Sequence, residues 1–172
     1  MIVIGGGPIG CRMGERLALH NFNVGVIEAK AKIGYPNHCS GLVPIEFLRE
    51  ADVSKKNILN YIKGAKVFSH KENCIHFKRE TPYAAVIDRI GFDTNMEERL
   101  KKANANVFYS SFVSDVKINQ KDTSIALIDG RVFVSKVVVV ATGATNTFQK
   151  LFDMKTDRRE DIYTVQVDAE LE

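Results

Sequence analysis

The chain has 172 residues, of which 45% are hydrophobic and 26% charged, a composition that predicts one globular domain with its own core. Its net charge of +3 is too small to indicate nucleic-acid binding, and no apolar run is long enough to span a membrane. Three cysteines give neither a metal-ligand spacing nor a disulfide framework, and the chain opens in a strand pattern rather than a signal peptide, so we expect a cytoplasmic protein without a metal site.

A glycine-rich turn joins the first predicted strand to the first predicted helix. The strand covers Met1–Ile4, the turn Gly5–Gly10 and the helix Cys11–His20. A second strand, Asn23–Ile27, follows, and Glu28 comes directly after it. Strand, glycines, helix, strand and acid in this order predict a dinucleotide-binding βαβ unit.

Each residue type of this unit has a physical role. Gly5 permits the tight turn, Gly7 lets the backbone approach a pyrophosphate, and Gly10 lets the helix pack against the strand. Ile9 would also lie against the pyrophosphate, next to the positive end of the helix dipole. Glu28 accepts hydrogen bonds from a ribose 2′-hydroxyl, which favours FAD or NAD over NADP. The alternative is a glycine-rich turn that binds nothing.

A loop, a short helix and three short strands are predicted after this unit. Residues 29–43 are predicted to form a loop, and Pro44 is placed to begin a short helix that ends at Glu50. Three short strands are then predicted, which are Lys66–Ser69, Cys74–Lys78 and Ala84–Asp88.

A second helix is predicted from a capping box. Thr94 and Glu97 have the capping-box spacing, with Asp93 just before them. Apolar residues then recur at helical spacing, and the expected buried stripe consists of Met96, Leu100 and Ala103. A strand, Asn106–Ser110, follows.

An antiparallel meander precedes the last strand. Val113–Ile118 and Ser124–Ile128 alternate, and Asp129-Gly130 is a strong hairpin turn into Arg131–Val134. Lys136–Ala141 contains four consecutive valines, which predict a strand buried on both faces. The predicted fold class is therefore α/β, a Rossmann-like FAD-binding domain whose parallel sheet is interrupted by an antiparallel β-meander.

Four stretches of the chain form recognisable motifs. They are Gly5–Gly10 with Glu28, then 32–42 of the form G-x-P-x-x-C-x-G, then 87–93 with Arg-x-x-Phe-Asp, and finally 137–143. Together they resemble the geranylgeranyl reductase family, archaeal digeranylgeranylglycerophospholipid reductases in particular, within the wider group that includes the aromatic flavin hydroxylases. The resemblance covers essentially the whole chain.

The resemblance implies further contacts to FAD. The segment with Cys39, Ser40, Gly41 and Leu42 would approach the isoalloxazine, where its backbone donors could stabilise negative charge on the reduced flavin. Arg89 would contact the cofactor. The alternatives are that Cys39 is a small buried hydrophobe and that Arg89 is a solvated loop residue.

Two more contacts and one candidate acid belong to the same set. Val113 would contact the adenine through its backbone, or else be a sheet residue without a ligand. Gly143 would supply the second glycine contact to FAD. His38 has a pKa suited to proton delivery, but a lone loop histidine is more often solvated, so the catalytic residues remain unknown.

The chain departs from the family in two ways. Thr142-Gly143 stands where the family usually has Asp-Gly, which puts an aspartate contact to the cofactor in doubt. Family members are also considerably longer, with a later flavin motif and a substrate-binding part. We therefore expect a fragment, with residues 1–160 forming the N-terminal part of the FAD-binding domain and 161–172 the first strand of a substrate domain.

The resemblance implies an FAD-dependent reductase that saturates C=C bonds of geranylgeranyl chains in isoprenoid lipids. Its partners would be the lipid substrate and an electron donor, NADPH or ferredoxin, which the sequence does not identify. Any membrane contact would be peripheral and fall to the missing region. The alternatives are an FAD-dependent aromatic hydroxylase and a catalytically silent nucleotide-binding module.

Overall fold

The structure, a computed structural model, describes residues 1–37, 39–69, 73–144 and 148. His38 and the predicted strand 161–172 lie outside these residues. The described elements are β1 (Ile2–Ile4), α1 (Pro8–Leu19), β2 (Gly25–Ile27), β3 (Leu42–Pro44), α2 (Ile45–Glu50), a 3₁₀ turn (Lys55–Asn57), β4 (Ile58–Ile62), β5 (Gly64–Phe68), β6 (Cys74–Lys78), β7 (Ala84–Ile87), α3 (Arg89–Lys102), β8 (Asn106–Phe108), β9 (Val113–Ile118), β10 (Thr123–Leu127), β11 (Val132–Ser135) and β12 (Val138–Val140).

These elements divide between two compact units. The first contains Met1–Tyr35 and the described residues from Asp93 onward, and the second contains Pro36–Phe92. The predicted domain boundary at residue 160 falls outside the described residues and stays a prediction.

A parallel sheet organises the first unit. Its strand order is β12-β1-β2-β8, and all three pairings are parallel. In the register, Ile4 lies between Ile27 on one side and Val140 on the other. The central strands are buried because α1 packs on them. This order confirms the predicted Rossmann-like βαβ unit.

The predicted meander is a three-stranded antiparallel sheet of order β11-β10-β9. Gly130 turns β10 into β11 with a φ of +87°, a value that glycine adopts without strain. Inward-facing residues of this sheet share one core with β1 and β2, and the buried members are Ile2, Ile4, Ile27, Val113, Val116, Ile125, Leu127 and Phe148.

The valine-rich strand is less buried than predicted. We expected Lys136–Ala141 to be buried on both faces, but β12 covers Val138–Val140 and Val140 is 37% exposed. Among the described strands, β12 pairs with β1 alone and so forms an edge of the sheet. Four valines therefore indicate strand propensity here rather than burial on two faces.

Helix α1 begins three residues earlier than predicted, because Pro8 serves as its first residue after the N-cap Gly7. Gly14 brings it close to its neighbours, since a Cβ there would lie 2.8 Å from Leu100 Cδ1 and 3.1 Å from Val26 Cγ2. None of the helices in the described part of the chain has both the length and the apolarity that a bilayer crossing requires.

The second unit consists of antiparallel strands with the short helix α2. Strands β3, β7 and β4 form one sheet, and β5 and β6 form a separate hairpin. Pro44 was predicted to begin the helix, but it is the N-cap of α2 and the last residue of β3. Strands β3 and β4 were not predicted from the sequence, because neither shows the clean alternation of a half-buried strand.

The predicted start of α3 is wrong. Its first residue is Arg89, so Thr94 lies inside the helix and the capping box is not used. Asp88 caps the helix instead, since its Oδ1 accepts a hydrogen bond from the Gly91 backbone N–H at 3.0 Å. Of the predicted stripe, Met96 and Leu100 are buried, whereas Ala103 follows the helix and is only half-buried.

We expect Asp88→Ala to lower the free energy of unfolding by about 1 kcal/mol, because the Gly91 N–H loses its capping acceptor. Thr94→Ala should change it by less than about 0.5 kcal/mol, because Thr94 occupies a helix-interior position. Urea unfolding followed by circular dichroism measures both. A larger loss of unfolding free energy for Thr94→Ala than for Asp88→Ala would indicate that Thr94 caps the helix and would contradict the observed helix start.

Candidate cofactor site

The glycine turn leaves no room for side chains where β1, α1 and the segment after β12 meet. Gly5 has a φ of +104°, and a Cβ on it would lie 2.4 Å from the Ala141 carbonyl oxygen. A Cβ on Gly10 would lie 1.8 Å from the Gly5 carbonyl oxygen. Both positions therefore require glycine, for the turn and for helix packing, as the sequence predicted.

The N-terminus of α1 faces open space. Apart from Gly7 and its neighbours along the chain, no described heavy atom lies within 4 Å of the position that a Cβ on Gly7 would occupy. No side chain caps this helix, and Pro8 carries no N–H. The first-turn N–H groups of Ile9 and Gly10 have no partner within the helix, and Ile9 is 74% exposed. The arrangement suits the phosphate of a nucleotide.

Glu28 is held in position by two backbone groups. Its Oε2 accepts from the Gly6 N–H at 2.6 Å, and its Oε1 accepts from the Lys30 N–H at 2.8 Å. A carboxylate offers about four acceptor positions, so two remain for the hydroxyls of a ribose.

Gly6 makes this arrangement possible, although the sequence analysis gave it no role. A Cβ at Gly6 would lie 3.0 Å from both Glu28 Oε2 and Ile33 Cδ1. The signal was present as a third glycine inside the turn. In this turn, Gly5 adopts a positive φ, Gly10 allows the helix to pack closely, and Gly6 allows the Glu28 carboxylate to approach the backbone.

A pocket of ≈ 240 Å³ opens between the ends of the strands in the first unit. This volume is below the roughly 300–1,000 Å³ of sites that enclose a whole drug-sized ligand, so it suits one end of a dinucleotide. Most of its lining is apolar, as an adenine ring requires. The lining includes Ile4, Gly5, Ile27, Glu28, Lys30, Ser111, Phe112, Val113, Thr142 and Phe148.

The structure therefore brings Gly5, Glu28 and Val113 to one pocket, together with residues that the sequence analysis did not single out. Val113 is buried and begins β9. Thr142 lines the pocket at the position where the family usually has aspartate. Gly143 follows it with a φ of +70° and no described atom near its Cβ position. The contacts predicted for Val113 and Gly143 stay predictions.

The segment Cys39–Leu42 lies in the second unit. The Cys39 N–H donates to Asn37 Oδ1 at 3.2 Å, and the Leu42 N–H donates to Ser40 Oγ at 3.4 Å. Gly41 has a φ of +73°, and a Cβ on it would lie 2.1 Å from the Ile87 carbonyl oxygen. Gly41 is thus required by the backbone of its own unit. The flavin contacts of this segment stay predictions.

Arg89 also belongs to the second unit and is the first residue of α3. It is half-buried, and its guanidinium carbon lies 6.0 Å from the centre of the Phe92 ring. It is therefore a helical residue in contact with an aromatic ring rather than a solvated loop arginine. Its contact to the cofactor stays a prediction.

Cys11 is a packing residue. It is fully buried in α1, and its Sγ donates to the Gly6 carbonyl oxygen at 3.1 Å. Burial, followed by the nearby carboxylates of Glu97, Asp93 and Glu28, raises the pKa of the thiol to about 12. The thiol therefore supports the glycine turn and is neutral at physiological pH.

The chain matches the family model described as lycopene cyclase protein over residues 1–163. It is 27% identical over 157 residues to digeranylgeranylglycerophospholipid reductase 1 of Methanosphaera stadtmanae, which covers 87% of the chain and 39% of the reductase. The resemblance to archaeal reductases of this kind is therefore confirmed.

Two solved structures share the fold. A geranylgeranyl bacteriochlorophyll reductase-like protein from Thermoplasma acidophilum aligns with a TM-score of 0.70 at 26% identity, over 83% of this chain and 38% of that one. The p-nitrophenol 4-monooxygenase PnpA from Pseudomonas putida aligns with a TM-score of 0.71 at 16% identity, over 86% and 42%. The chain thus spans less than half the length of the reductase and of both structures.

At pH 8, we expect a thiol-specific reagent such as DTNB to modify the exposed Cys74 while leaving Cys11 intact in the folded chain. A thiol pKa of about 12 leaves roughly one molecule in 10⁴ as the reactive thiolate, and burial blocks access. Peptide mass spectrometry after labelling identifies the modified residue, and Cys74→Ser provides the matched control. Modification of Cys11 as fast as Cys74 would contradict this description of the thiol.

Proposed function

The chain belongs to the lycopene cyclase protein family, and on this premise we propose that it forms the N-terminal FAD-binding part of an FAD-dependent oxidoreductase that reduces C=C bonds of geranylgeranyl chains in isoprenoid membrane lipids. The observation that carries the proposal is the position of the Glu28 carboxylate beside the glycine turn, with two acceptor positions left for a ribose. The cofactor is FAD.

The described residues fit this cofactor at its adenosine and pyrophosphate end. Gly7 leaves space at the N-terminus of α1, where N–H groups and the helix dipole favour phosphate. Glu28 favours an unmodified ribose because a 2′-phosphate would be repelled by the carboxylate. The neighbouring apolar pocket accommodates the adenine, and the backbone of Val113 lies at its wall.

FAD supplies a hydride from flavin N5 when it is bound to the protein. The residues of this chain have a binding and orienting role. Gly5, Gly7, Ile9 and Gly10 would hold the pyrophosphate, Arg89 would contact the cofactor, and the segment Cys39–Leu42 would offer backbone donors to the isoalloxazine. Gly143 would supply a further backbone contact.

Similarity to named relatives supports the proposed substrate class. The curated relative is named for reduction of a digeranylgeranylglycerophospholipid, and the Thermoplasma structure for a geranylgeranyl bacteriochlorophyll reductase-like protein. A geranylgeranyl chain is long and apolar, so its reduction takes place at or near a lipid surface. NADPH and ferredoxin are the candidate electron donors.

An FAD-dependent aromatic hydroxylase is the second candidate, because a monooxygenase shares the fold. The G-x-P-x-x-C-x-G segment that ends at Gly41 favours the reductase. Oxygen uptake stimulated by an aromatic compound, measured on a full-length member with this chain as its N-terminal part, would favour the hydroxylase. If the chain takes up no FAD on reconstitution, both enzyme functions would be excluded for it. A catalytically silent nucleotide-binding module would then be the remaining candidate.

We expect Glu28→Ala to weaken FAD binding at least about tenfold, because charge-assisted hydrogen bonds contribute roughly 1.5–3 kcal/mol. Quenching of flavin fluorescence during titration with the protein measures the affinity. Glu98→Ala, which removes an exposed carboxylate from α3, is the matched control and should bind like the wild type. Wild-type affinity in Glu28→Ala would refute the ribose contact.

We expect Gly7→Ala to fold normally and yet to weaken FAD binding about tenfold or more. Its new methyl group meets no described atom and occupies the space assigned to the pyrophosphate. Gly10→Ala should instead destabilise the fold, because its methyl group would overlap the Gly5 carbonyl. Urea unfolding and flavin titration separate the two effects. Unchanged FAD affinity in a folded Gly7→Ala protein would place the pyrophosphate elsewhere.

A further inference from the structure

The β5–β6 hairpin has a large exposed apolar surface. Among the described strands, β5 and β6 pair with each other and with no third strand. Val67, Phe68, Ile75 and Phe77 are each between 54% and 67% exposed. Large apolar side chains clustered on one exposed element indicate an interaction surface.

The register of the hairpin separates two kinds of side chain. Ala65 lies opposite Phe77, and Val67 lies opposite Ile75, so these four residues share one face. Lys66 lies opposite His76 on the other face. The pair Gly64 and Lys78 lies on the same face as Lys66 and His76, which makes this face basic. The pair Phe68 and Cys74 lies at the turn end of this face. The hairpin is therefore an amphipathic ribbon, which we call the basic ribbon.

The net positive charge of the chain lies in this ribbon and the residues that flank it. Residues 63–80 contain five lysines and arginines and two acidic residues, a net charge of +3. The rest of the chain contains 19 basic and 19 acidic residues, so the whole excess of +3 resides here. Lys63, Lys66, His76 and Lys78 line one shallow depression of ≈ 430 Å³ on the ribbon.

We propose that the basic ribbon docks the protein on the surface of an anionic lipid bilayer. The apolar face formed by Val67, Ile75 and Phe77 enters the boundary between headgroups and acyl chains, and Lys66 and Lys78 contact lipid phosphates. Lysine suits this position because its long stem can lie along apolar surface while its ammonium stays hydrated.

Charge favours this occupant over a second copy of the chain. Lys63 and Arg79 continue the apolar face beyond Ala65 and Phe77, since the Arg79 N–H donates to the Lys63 carbonyl and all four residues line one depression. Two ribbons that packed through their apolar faces would bring these cations together, whereas an anionic surface neutralises them. Nucleic acid is disfavoured because it offers no counterpart to the exposed valine, isoleucine and phenylalanine side chains. The inference goes beyond the proposed function and does not depend on it, because docking involves no residue of the cofactor site.

Co-sedimentation of the whole chain with vesicles tests the proposal. We expect binding to vesicles of phosphatidylcholine mixed with phosphatidylglycerol to exceed binding to pure phosphatidylcholine about tenfold, and to weaken as salt is raised. Lys66→Glu with Lys78→Glu should reduce this binding about tenfold. The matched control, Lys117→Glu with Lys136→Glu, changes the net charge equally on exposed lysines of the first unit and should stay within about twofold of the wild type.

A second pair of variants tests the apolar face. Val67→Ser with Phe77→Ser should weaken vesicle binding several-fold, whereas Ile128→Ser with Val132→Ser, at exposed apolar positions of the meander, should not. Circular dichroism checks that both proteins fold. No FAD is added, so a failure of flavin binding leaves this result unaffected, and the two proposals stand or fall separately.

Five results would overturn the proposal. The first is equal binding to neutral and anionic vesicles, and the second is equal loss in both lysine pairs. The third is stronger displacement by inorganic phosphate than by chloride at equal ionic strength, which would indicate a small-anion site. The fourth is a dimer, seen by sedimentation without vesicles, that Val67→Ser with Phe77→Ser dissociates. The fifth is a longer form of the protein that covers the ribbon and no longer binds vesicles.

Discussion

The close approach of three backbone segments around Gly5 is the constraint on which the cofactor site depends. The start of α1 touches the Gly5 carbonyl, and Gly5 in turn touches the Ala141 carbonyl after β12, at distances that exclude any side chain. This contact places the N-terminus of α1 at the carboxyl ends of the parallel strands. Open α/β sheets bind their ligands at that edge, so the space beside Gly7 and the apolar pocket follow from one steric condition.

Backbone groups form the phosphate end of the candidate site, and Glu28 is the main polar side chain that contributes specificity. Its carboxylate is fixed by the N–H groups of Gly6 and Lys30 before any ligand arrives. The side chain therefore loses little conformational entropy when a ligand binds. The buried neutral thiol of Cys11 supports the same turn from the side of α1. A site made in this way depends on the spacing of the glycines more than on the identity of other side chains.

The sequence predicted the βαβ unit well because each of its residues acts locally, through φ, helix capping or spacing. It failed where two local signals compete. Thr94 has a capping-box pattern, yet Asp88 caps the helix six residues earlier. The exposure of β12 depends on which strands lie beside it, and no local pattern contains that information. Gly6 and Thr142 acquire their places only when distant segments meet. The basic ribbon was hidden because its two faces appear only after the β5–β6 register is known.

The central claim is that the first unit binds the adenosine and pyrophosphate end of FAD. Isothermal titration of the chain with ADP and, separately, with FMN tests this most directly, because each molecule carries one end of the cofactor. The account predicts that ADP binds with an affinity within about tenfold of that of FAD and that FMN gives no binding heat. Binding of FMN without binding of ADP would contradict it.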